Sequence, residues 1–318
     1  MTTAVPLSNS EIQREIVGRF APAPTGALHV GSLVAAVGSW LMAKSVGGSW
    51  LLRMDDLDTP RQVPGMADDI QRTLESFCLF WDGAISWQSR NREAYQKAFD
   101  RLQNQGLIYP CSCSRRDIAQ TASAPHPEDD CIPYFGTCRN GMRPGATVRS
   151  WRLLTSDNEI CFDDQHRGRV CQNLRRSCGD VVLQRGDGEF AYQLAVVIDD
   201  HLTGVTQVVR GDDLLSSTPR QIYIQGLLGL PQPKYCHLPL VTGPNGGKLS
   251  KRDNLVSHHP GGFQGREGAL ILDVLRFLGQ EPPQELKGAS CGEILQWGGT
   301  YFDVARIPAI GGELRSCQ

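Results

Sequence analysis

The sequence predicts an α/β fold built around a parallel sheet, and three observations support this prediction. Residues 15–54 contain an apolar strand, an amphipathic helix and a second apolar strand within about forty residues, the spacing of a βαβ unit. Apolar runs alternate with helical patterns again after residue 147. The 318 residues, 40% of them hydrophobic, are enough to bury a substantial core in one large domain or two smaller ones.

The first half of the chain is predicted from the spacing of its apolar residues. We expect strands at 15–20 and 50–54, with the helix between them ended by Gly47 and Gly48. A second helix and a third, over residues 92–105, come next. The apolar positions that mark the first two helices are Leu33, Val37, Trp40, Leu41, Met66, Ile70, Leu74 and Phe77.

The second half contains the remaining predicted elements. Residues 147–153 alternate like a strand, and residues 190–200 form a nearly continuous apolar run that predicts a buried parallel strand. Another strand is expected at 205–210, followed by a helix that Ser217 caps and that ends near Gly229. A further helix is expected at 267–278, whereas the tail after Pro282 is weakly patterned.

Residues 111–145 differ in composition from both halves. They are rich in Cys, Ser, Pro, Asp and Gly and have little periodicity, which indicates an insertion between two halves of the sheet. The predicted boundaries are therefore 11–108 for the first half of the core and 109–178 for the insertion. The second half of the core follows at 179–242, and residues 243–318 hold a glycine-rich loop, a helical region and the tail.

Composition restricts the partners and the compartment. The net charge of −2 provides no overall basic field, so any nucleic-acid binding has to come from local patches. Neither a signal peptide nor an apolar run long enough to span a bilayer is present, so we expect no membrane contact and a cytoplasmic location. Eleven cysteines, an odd number, argue against a full disulfide framework and leave some available for metal.

Two segments are suited to binding a polyphosphate. In residues 19–32 a strand runs through a Pro/Gly loop into a helix, and the first N–H groups of a helix bind phosphates readily. Gly26 and Gly31 permit close backbone approach there, and His29 can donate to a phosphate oxygen. Lys248 and Lys251, on a glycine-hinged loop, can close over the same phosphates. When each segment is considered alone, an alternative remains: residues 19–32 could be an ordinary strand–loop–helix turn, and the lysine segment could be a solvated basic loop.

As an ordered pair, these segments resemble the two signatures of the class I aminoacyl-tRNA synthetases. Residues 29–32 are similar to the first signature and residues 248–252 to the second. Four further stretches, 18–26, 52–58, 190–201 and 209–214, resemble the glutamyl branch, and the likeness covers roughly residues 15–255. The resemblance implies a Rossmann-type class I catalytic core, with the insertion and a short helical C-terminal region.

Within this branch the chain resembles a shortened paralogue without an anticodon-binding domain. The resemblance implies a monomeric ligase that activates L-glutamate with ATP and magnesium. It also implies transfer of the glutamyl group to queuosine in the anticodon of aspartate tRNA. Two alternatives stay open: a glutamyl-tRNA synthetase whose anticodon domain is supplied elsewhere, and a non-catalytic RNA-binding module derived from a synthetase.

The resemblance also implies roles for individual residues. Arg19 and Arg210 would each bind a carboxylate of glutamate, and Asp55, where the family usually has Glu, would hold the α-ammonium group. Tyr192 would add a hydroxyl contact to the amino acid. The other residues implied to lie along the substrate are Phe20, Ala21, Pro22 and Ala23. Those implied for ATP binding and catalysis are His29, Gly31, Lys248 and Lys251.

The cysteine-rich insertion predicts a structural zinc site. By spacing alone, Cys111, Cys113, Cys131 and Cys138 are the natural set of four ligands. The paralogue's pattern instead implies Cys111, Cys113, Tyr134 and Cys138. The sequence therefore leaves the choice between Cys131 and Tyr134 open, together with the alternative that these are buried free thiols without metal.

Overall fold

The computed structural model describes residues 15–121, 133–243, 265–312 and 314. The strands are β1 (Val17–Phe20), β2 (Ser49–Met54), β3 (Ser86–Trp87), β4 (Ile108–Cys111), β5 (Ser150–Leu153), β6 (Glu159–Asp164), β7 (Gly168–Asn173), β8 (Val181–Arg185), β9 (Gln207–Gly211) and β10 (Lys234–Leu238). The helices are α1 (Val30–Lys44), α2 (Met66–Ser76), α3 (Arg92–Asn104), α4 (Arg115–Thr121), α5 (Leu174–Ser177), α6 (Tyr192–Leu202), α7 (Thr218–Leu228), α8 (Glu267–Phe277) and α9 (Cys291–Tyr301).

The central sheet is mainly parallel, which confirms the predicted α/β fold. Strands β1, β2 and β3 pair in parallel, and so do β9, β10 and β6, while β7 is antiparallel to β6. The two groups meet where the Thr206 N–H donates to the Val17 carbonyl and Arg19 reaches the Val209 carbonyl. The two groups, β3-β2-β1 and β9-β10-β6-β7, therefore lie side by side with β1 next to β9, although no ladder of backbone hydrogen bonds joins these two strands among the described residues.

Residues 190–200 do not form the predicted buried strand but mostly belong to helix α6. Seven consecutive residues, from 194 to 200, are all buried, so the helix has no solvent-facing side and shows no amphipathic period. A continuous apolar run does not distinguish a buried strand from a buried helix, and its length of eleven residues is helical. The correction matters because it places Asp199 and Asp200 side by side in the interior rather than on opposite faces of a strand.

The insertion is built around an antiparallel sheet with the order β4-β5-β8. Its third strand begins at Val181, so the hydrogen bonding crosses the predicted boundary at residue 178. The hairpin of β6 and β7 instead joins the central sheet through β10. A disulfide between Cys161 and Cys171 links the two strands of this hairpin. The domain boundaries accordingly remain predictions.

The C-terminal region contains one helix that the apolar spacing did not predict. Helix α9 begins at a capping box, in which Ser290 and Glu293 exchange side-chain and backbone hydrogen bonds. It packs on α1 at Gly298, where a Cβ atom would lie 2.9 Å from Leu41 Cδ2. Gly298 is therefore buried at a position where an apolar side chain would have continued the helical spacing in the sequence.

Among the described residues, no helix has both the length and the apolar character needed to cross a bilayer. The longest, α1, has 15 residues, whereas about 20 are needed to span the hydrocarbon core. Helix α1 is nevertheless largely buried, because it lies between the central sheet and helices α8 and α9.

Candidate active site

Functional side chains gather at the carboxyl ends of β1 and β9, the adjacent strands at the centre of the sheet. The chain leaves β1 towards β2 on one side and leaves β9 towards β10 on the other. In open α/β sheets, ligands bind in the crevice that this change of direction creates. Arg19 on β1 and Arg210 on β9 therefore lie where an open α/β sheet binds its ligand.

Arg19 belongs to a buried cluster of charges that the sequence-based prediction included only in part. The Arg19 Nε atom lies 3.2 Å from Asp200 Oδ1, and Arg53 Nη1 lies 2.6 Å from the same oxygen. Arg53 Nε also binds Asp55 at 2.7 Å. Arg53 is only 2% exposed, and its Nη2 atom has no hydrogen-bond partner among the described residues. Asp200 therefore bridges the guanidinium groups of Arg19 and Arg53.

Burial acts differently on the two carboxyl groups of this cluster. It opposes ionisation of Asp200, yet the Arg19 and Arg53 guanidiniums outweigh it and hold the pKa of Asp200 below its ordinary value. At Asp55 burial outweighs the Arg53 contact and raises the pKa of that carboxyl. A cation placed beside Asp55 would therefore favour the ionised form of its carboxyl group.

A third carboxylate, Asp199, completes the cluster. Its oxygens accept hydrogen bonds from the Gln88 amide, the Asn91 amide and the Tyr95 hydroxyl, each within 2.8 Å. With Asp55, Asp200 and the two arginines, the cluster carries one net negative charge when every group is ionised. A ligand ammonium group would neutralise that charge.

Arg210 is held by neutral groups instead of a carboxylate. Its Nε lies 3.2 Å from His237 Nε2, and its Nη2 lies 2.7 Å from Thr218 Oγ1 and 2.8 Å from Gln221 Oε1. The remaining nitrogen, Nη1, makes only a long contact of 3.5 Å with the Tyr192 hydroxyl. Because none of the described carboxylates lies within hydrogen-bond reach of it, this nearly buried guanidinium is suited to bind a carboxylate of a ligand.

The structure brings the Tyr192 hydroxyl to 3.5 Å from Arg210 Nη1 and leaves the residue 37% exposed. The Phe20 ring is buried and stacks on Trp50, and the implied place of Phe20 along the substrate stays a prediction. Ala21, Pro22 and Ala23 follow β1 and are partly or fully exposed. The Pro22 carbonyl accepts from the Asp55 N–H, so this loop lies next to Asp55.

His29 caps helix α1. Its Nδ1 atom accepts the Ser32 N–H at 3.2 Å, so in the neutral ring the proton is on Nε2. A Cβ atom on Gly31 would lie 3.0 Å from His29 Cε1, so the absence of a side chain at residue 31 makes room for the ring. The predicted phosphate loop therefore presents an imidazole N–H beside a helix N-terminus. Lys248 and Lys251, the other predicted ATP contacts, lie outside the described residues.

The insertion assembles one candidate metal centre. The thiols of Cys111, Cys113 and Cys138 lie within 4.8 Å of one another, with Cys113 and Cys138 3.6 Å apart. The Tyr134 hydroxyl lies 3.4 Å from Cys111 Sγ and 3.8 Å from Cys113 Sγ. Around a tetrahedral zinc with Zn–S bonds of about 2.3 Å, two sulfurs are about 3.8 Å apart. The four groups fit a zinc ion, whereas Cys131 lies outside the described residues.

The candidate ligands differ in how readily they ionise without a metal. Burial raises the pKa of the Tyr134 hydroxyl, and it raises the pKa of the Cys113 thiol to about 11, so these two groups would need a cation to become anionic. Burial also opposes ionisation of Cys138, but hydrogen bonds from Tyr134, Ser112 and Cys113 lower the pKa of that thiol to about 7. The guanidinium carbon of Arg152 lies 3.9 Å above the centre of the Tyr134 ring, where a cation favours negative charge on the ring. Nothing in the local sequence around Arg152 indicated this contact.

Arg53 and Asp200 were not predicted as site residues, although both lie in stretches that carried the resemblance. Arg53 precedes Asp55 by two positions in a strand, so an alternating pattern places both side chains on one face. Asp200 was obscured by the strand prediction for α6. A helical reading of residues 190–200 would have placed it in the core beside Asp199.

We expect Asp55→Asn to raise the KM for an ammonium-bearing ligand about tenfold, the effect of losing one charge-assisted contact. Asp55→Glu should preserve the charge and bind at least as well, because its longer side chain reaches further from Arg53. Substrate titrations with both variants check this expectation. An unchanged KM in Asp55→Asn would show that Asp55 does not bind the ammonium group.

Comparisons with known proteins agree with this geometry. Residues 15–290 match the sequence model of a family described as tRNA synthetases class I (E and Q), catalytic domain. A protein of Geobacter sulfurreducens named glutamyl-Q tRNA(Asp) synthetase is 57% identical over 93% of this chain and 95% of its own length. A protein of the same name from Dechloromonas aromatica is 49% identical over 92% of this chain and 95% of its own.

A solved structure supports the fold. The crystal structure of a glutamate–tRNA synthetase from Elizabethkingia anophelis superimposes with a TM-score of 0.78. The two sequences are 27% identical, and the alignment covers 94% of this chain and 68% of that one.

Proposed function

This chain belongs to the class I tRNA synthetases for glutamate and glutamine, and we propose that it activates L-glutamate with ATP and transfers the glutamyl group to queuosine of aspartate tRNA. The observation that carries this proposal is the pair of buried arginines, Arg19 and Arg210, on neighbouring strands with Asp55 beside them. Two guanidiniums and one carboxylate complement an amino acid that has two carboxylates and one ammonium group.

The first step is nucleophilic attack of the glutamate α-carboxylate on the α-phosphate of ATP. A new P–O bond forms, the bond to the β-phosphate breaks, and glutamyl-adenylate and pyrophosphate result. The protein contributes orientation and charge neutralisation, since no covalent intermediate with the enzyme is needed. His29 would donate its Nε2 proton to a phosphate oxygen, with Gly31 allowing close approach. Lys248, Lys251 and magnesium would neutralise the leaving pyrophosphate.

The second step transfers the glutamyl group. A hydroxyl of the queuosine cyclopentenediol attacks the activated carbonyl, AMP leaves with the bonding electrons, and an ester forms. The proposed acceptor is supported by the names of two relatives that are 57% and 49% identical to this chain over more than nine tenths of its length. We propose that one chain performs both steps as a monomer in the cytoplasm, where ATP and tRNA are present.

Zinc would stabilise the folded insertion and would take no part in the reaction. We propose that Cys111, Cys113, Tyr134 and Cys138 hold it, because their spacing matches tetrahedral coordination by three thiolates and a phenolate. All four ligand positions are then filled by protein, which is typical of a structural site. The ion would link Cys111 and Cys113, at the end of β4, to Tyr134 and Cys138.

The test has two assays on the full-length protein. Glutamate-dependent exchange of labelled pyrophosphate into ATP should be observed, because the first step needs no RNA acceptor. Labelled glutamate should then enter queuosine-containing aspartate tRNA, also after its terminal adenosine has been removed. It should not enter aspartate tRNA that lacks queuosine.

Two outcomes would overturn the proposal. Transfer to the terminal adenosine of glutamate tRNA would identify a glutamyl-tRNA synthetase instead. Complete absence of exchange, with folded protein and saturating ATP, would indicate a non-catalytic RNA-binding module.

A further inference from the structure

A chain of buried polar groups connects the tip of the β6–β7 hairpin with Arg210. Asp164 ends β6, His237 lies on β10, and both side chains are fully buried. The His237 Nδ1 atom lies 2.7 Å from Asp164 Oδ2, and its Nε2 atom lies 3.2 Å from Arg210 Nε. The imidazole is therefore placed between a carboxylate and the guanidinium.

The chemistry of these groups determines which nitrogen carries the proton. An ionised carboxylate can only accept, so the Nδ1 atom donates to Asp164 and Nε2 keeps its lone pair. The lone pair accepts the Arg210 Nε–H and faces the Thr218 hydroxyl at 3.0 Å. Burial lowers the pKa of His237 even though Asp164 opposes this, which favours the neutral ring. A proton on Nε2 would instead point at the Arg210 donor.

The two oxygens of Asp164 have different partners. Oδ1 accepts the backbone N–H groups of His166 at 3.0 Å, Arg167 at 2.8 Å and His237 at 3.2 Å. Oδ2 is the oxygen that binds the imidazole. Because three backbone N–H groups face Oδ1, this position of the side chain accommodates only a hydrogen-bond acceptor.

We propose that Asp164 and His237 are positioning residues that orient the Arg210 guanidinium for a ligand carboxylate by fixing the imidazole tautomer. With Nε held by His237 and Nη2 by Thr218 and Gln221, only Nη1 remains to face the ligand. This inference rests on the proposed role of Arg210 in binding glutamate. Neither residue needs to touch the substrate.

Asp164→Asn tests the dyad without removing volume. The backbone donors retain the amide oxygen at the Oδ1 position, so the NH₂ group faces His237 Nδ1 and forces the proton onto Nε2. The Nε2–H of His237 then faces the Nε–H of Arg210. Because two donors cannot bond to each other, the guanidinium rotates away. We expect kcat/KM for glutamate in pyrophosphate exchange to fall at least about tenfold, the effect of losing one hydrogen bond to a charged group. The KM for ATP should stay within about twofold.

Two further variants separate orientation from general disruption. Asp163→Asn changes the neighbouring, exposed aspartate and should leave kcat/KM unchanged. His237→Gln places an acceptor oxygen near the Nε2 position without depending on Asp164. We therefore expect Asp164→Asn to cost less than about twofold in the His237→Gln background, as a double-mutant cycle measures. An equal loss in both backgrounds, or an equal rise in the KM for ATP, would overturn the proposal.

Nitrogen NMR of histidine-labelled protein gives a readout independent of activity. The signal that disappears in His237→Gln should show a protonated Nδ1 in the wild type and a protonated Nε2 in Asp164→Asn. The same tautomer in both proteins would refute the dyad. A wild type that shows this tautomer but no glutamate-dependent exchange would instead refute the proposed function and leave the geometry standing.

Discussion

Replacing Arg210 with alanine should lower kcat/KM for glutamate about 10–150-fold, since a hydrogen bond to a charged carboxylate is worth about 1.5–3 kcal/mol. Arg210 is 5% exposed, and its positive charge is not neutralised by any carboxylate within hydrogen-bond reach among the described residues. Its loss removes the Nη1 donor that would bind the substrate carboxylate. The measurement is pyrophosphate exchange over a range of glutamate concentrations.

Controls distinguish loss of binding from loss of fold. Arg176→Ala removes an exposed arginine paired with Asp157 and should leave the exchange rate unchanged. Arg210→Lys retains the charge without the planar fork and should still be impaired about tenfold or more. The KM for ATP should change little in all three variants. If Arg210→Ala kept kcat/KM within about threefold of the wild type, Arg210 would not be the carboxylate ligand.

Cys113→Ser should release the proposed zinc ion and lower the melting temperature by about 4–8 °C. This range corresponds to a loss of about 3–5 kcal/mol at an unfolding entropy of about 2.1 cal/mol/K per residue over the whole chain. The physical reason is that the ion binds the folded arrangement of four groups and stabilises that state by mass action. Metal content by elemental analysis and thermal unfolding of the purified protein check this expectation.

Matched variants identify the fourth ligand. Cys178→Ser alters a buried thiol that is in no disulfide and lies outside the centre, and it should retain one zinc per chain. Tyr134→Phe removes only the phenolic oxygen and should weaken zinc retention, while Cys131→Ser should not. The opposite pair of results would make Cys131 the ligand and would correct our choice. Wild-type protein without zinc after expression in zinc-supplemented medium would remove the metal proposal altogether.

The sequence predicted much of the fold because most elements have a regular apolar period. Leu33, Val37 and Leu41 mark α1 correctly, since one face of that helix must pack on the sheet. Helix α6 was mistaken for a strand because burial on every side removes that period. Helix α9 was missed because Gly298, at its contact with α1, interrupts the apolar face that Ile294 and Leu295 begin, although Ser290 and Glu293 form a recognisable capping box.

The candidate site was predictable only where chemistry follows from local sequence. Arg19, Asp55, Tyr192 and Arg210 lie in stretches that resemble a known family, and the structure places the first two in one charge cluster and the last two in contact with each other. His237 contacts Asp164 across 73 positions of sequence, so no local pattern could reveal that pair. The same limitation applies to Arg152, which reaches the Tyr134 ring from another strand.

The close approach of His29 to Gly31 affects which sequences this loop can tolerate. Gly31 has no positive φ angle, so its backbone would accept any residue. The obstacle is the imidazole ring, because a Cβ atom would lie 3.0 Å from its Cε1 atom, so the ring would have to shift and the cap on the Ser32 N–H would be disturbed. In a library randomised at this position and screened for glutamate-dependent pyrophosphate exchange, even alanine should lower the rate.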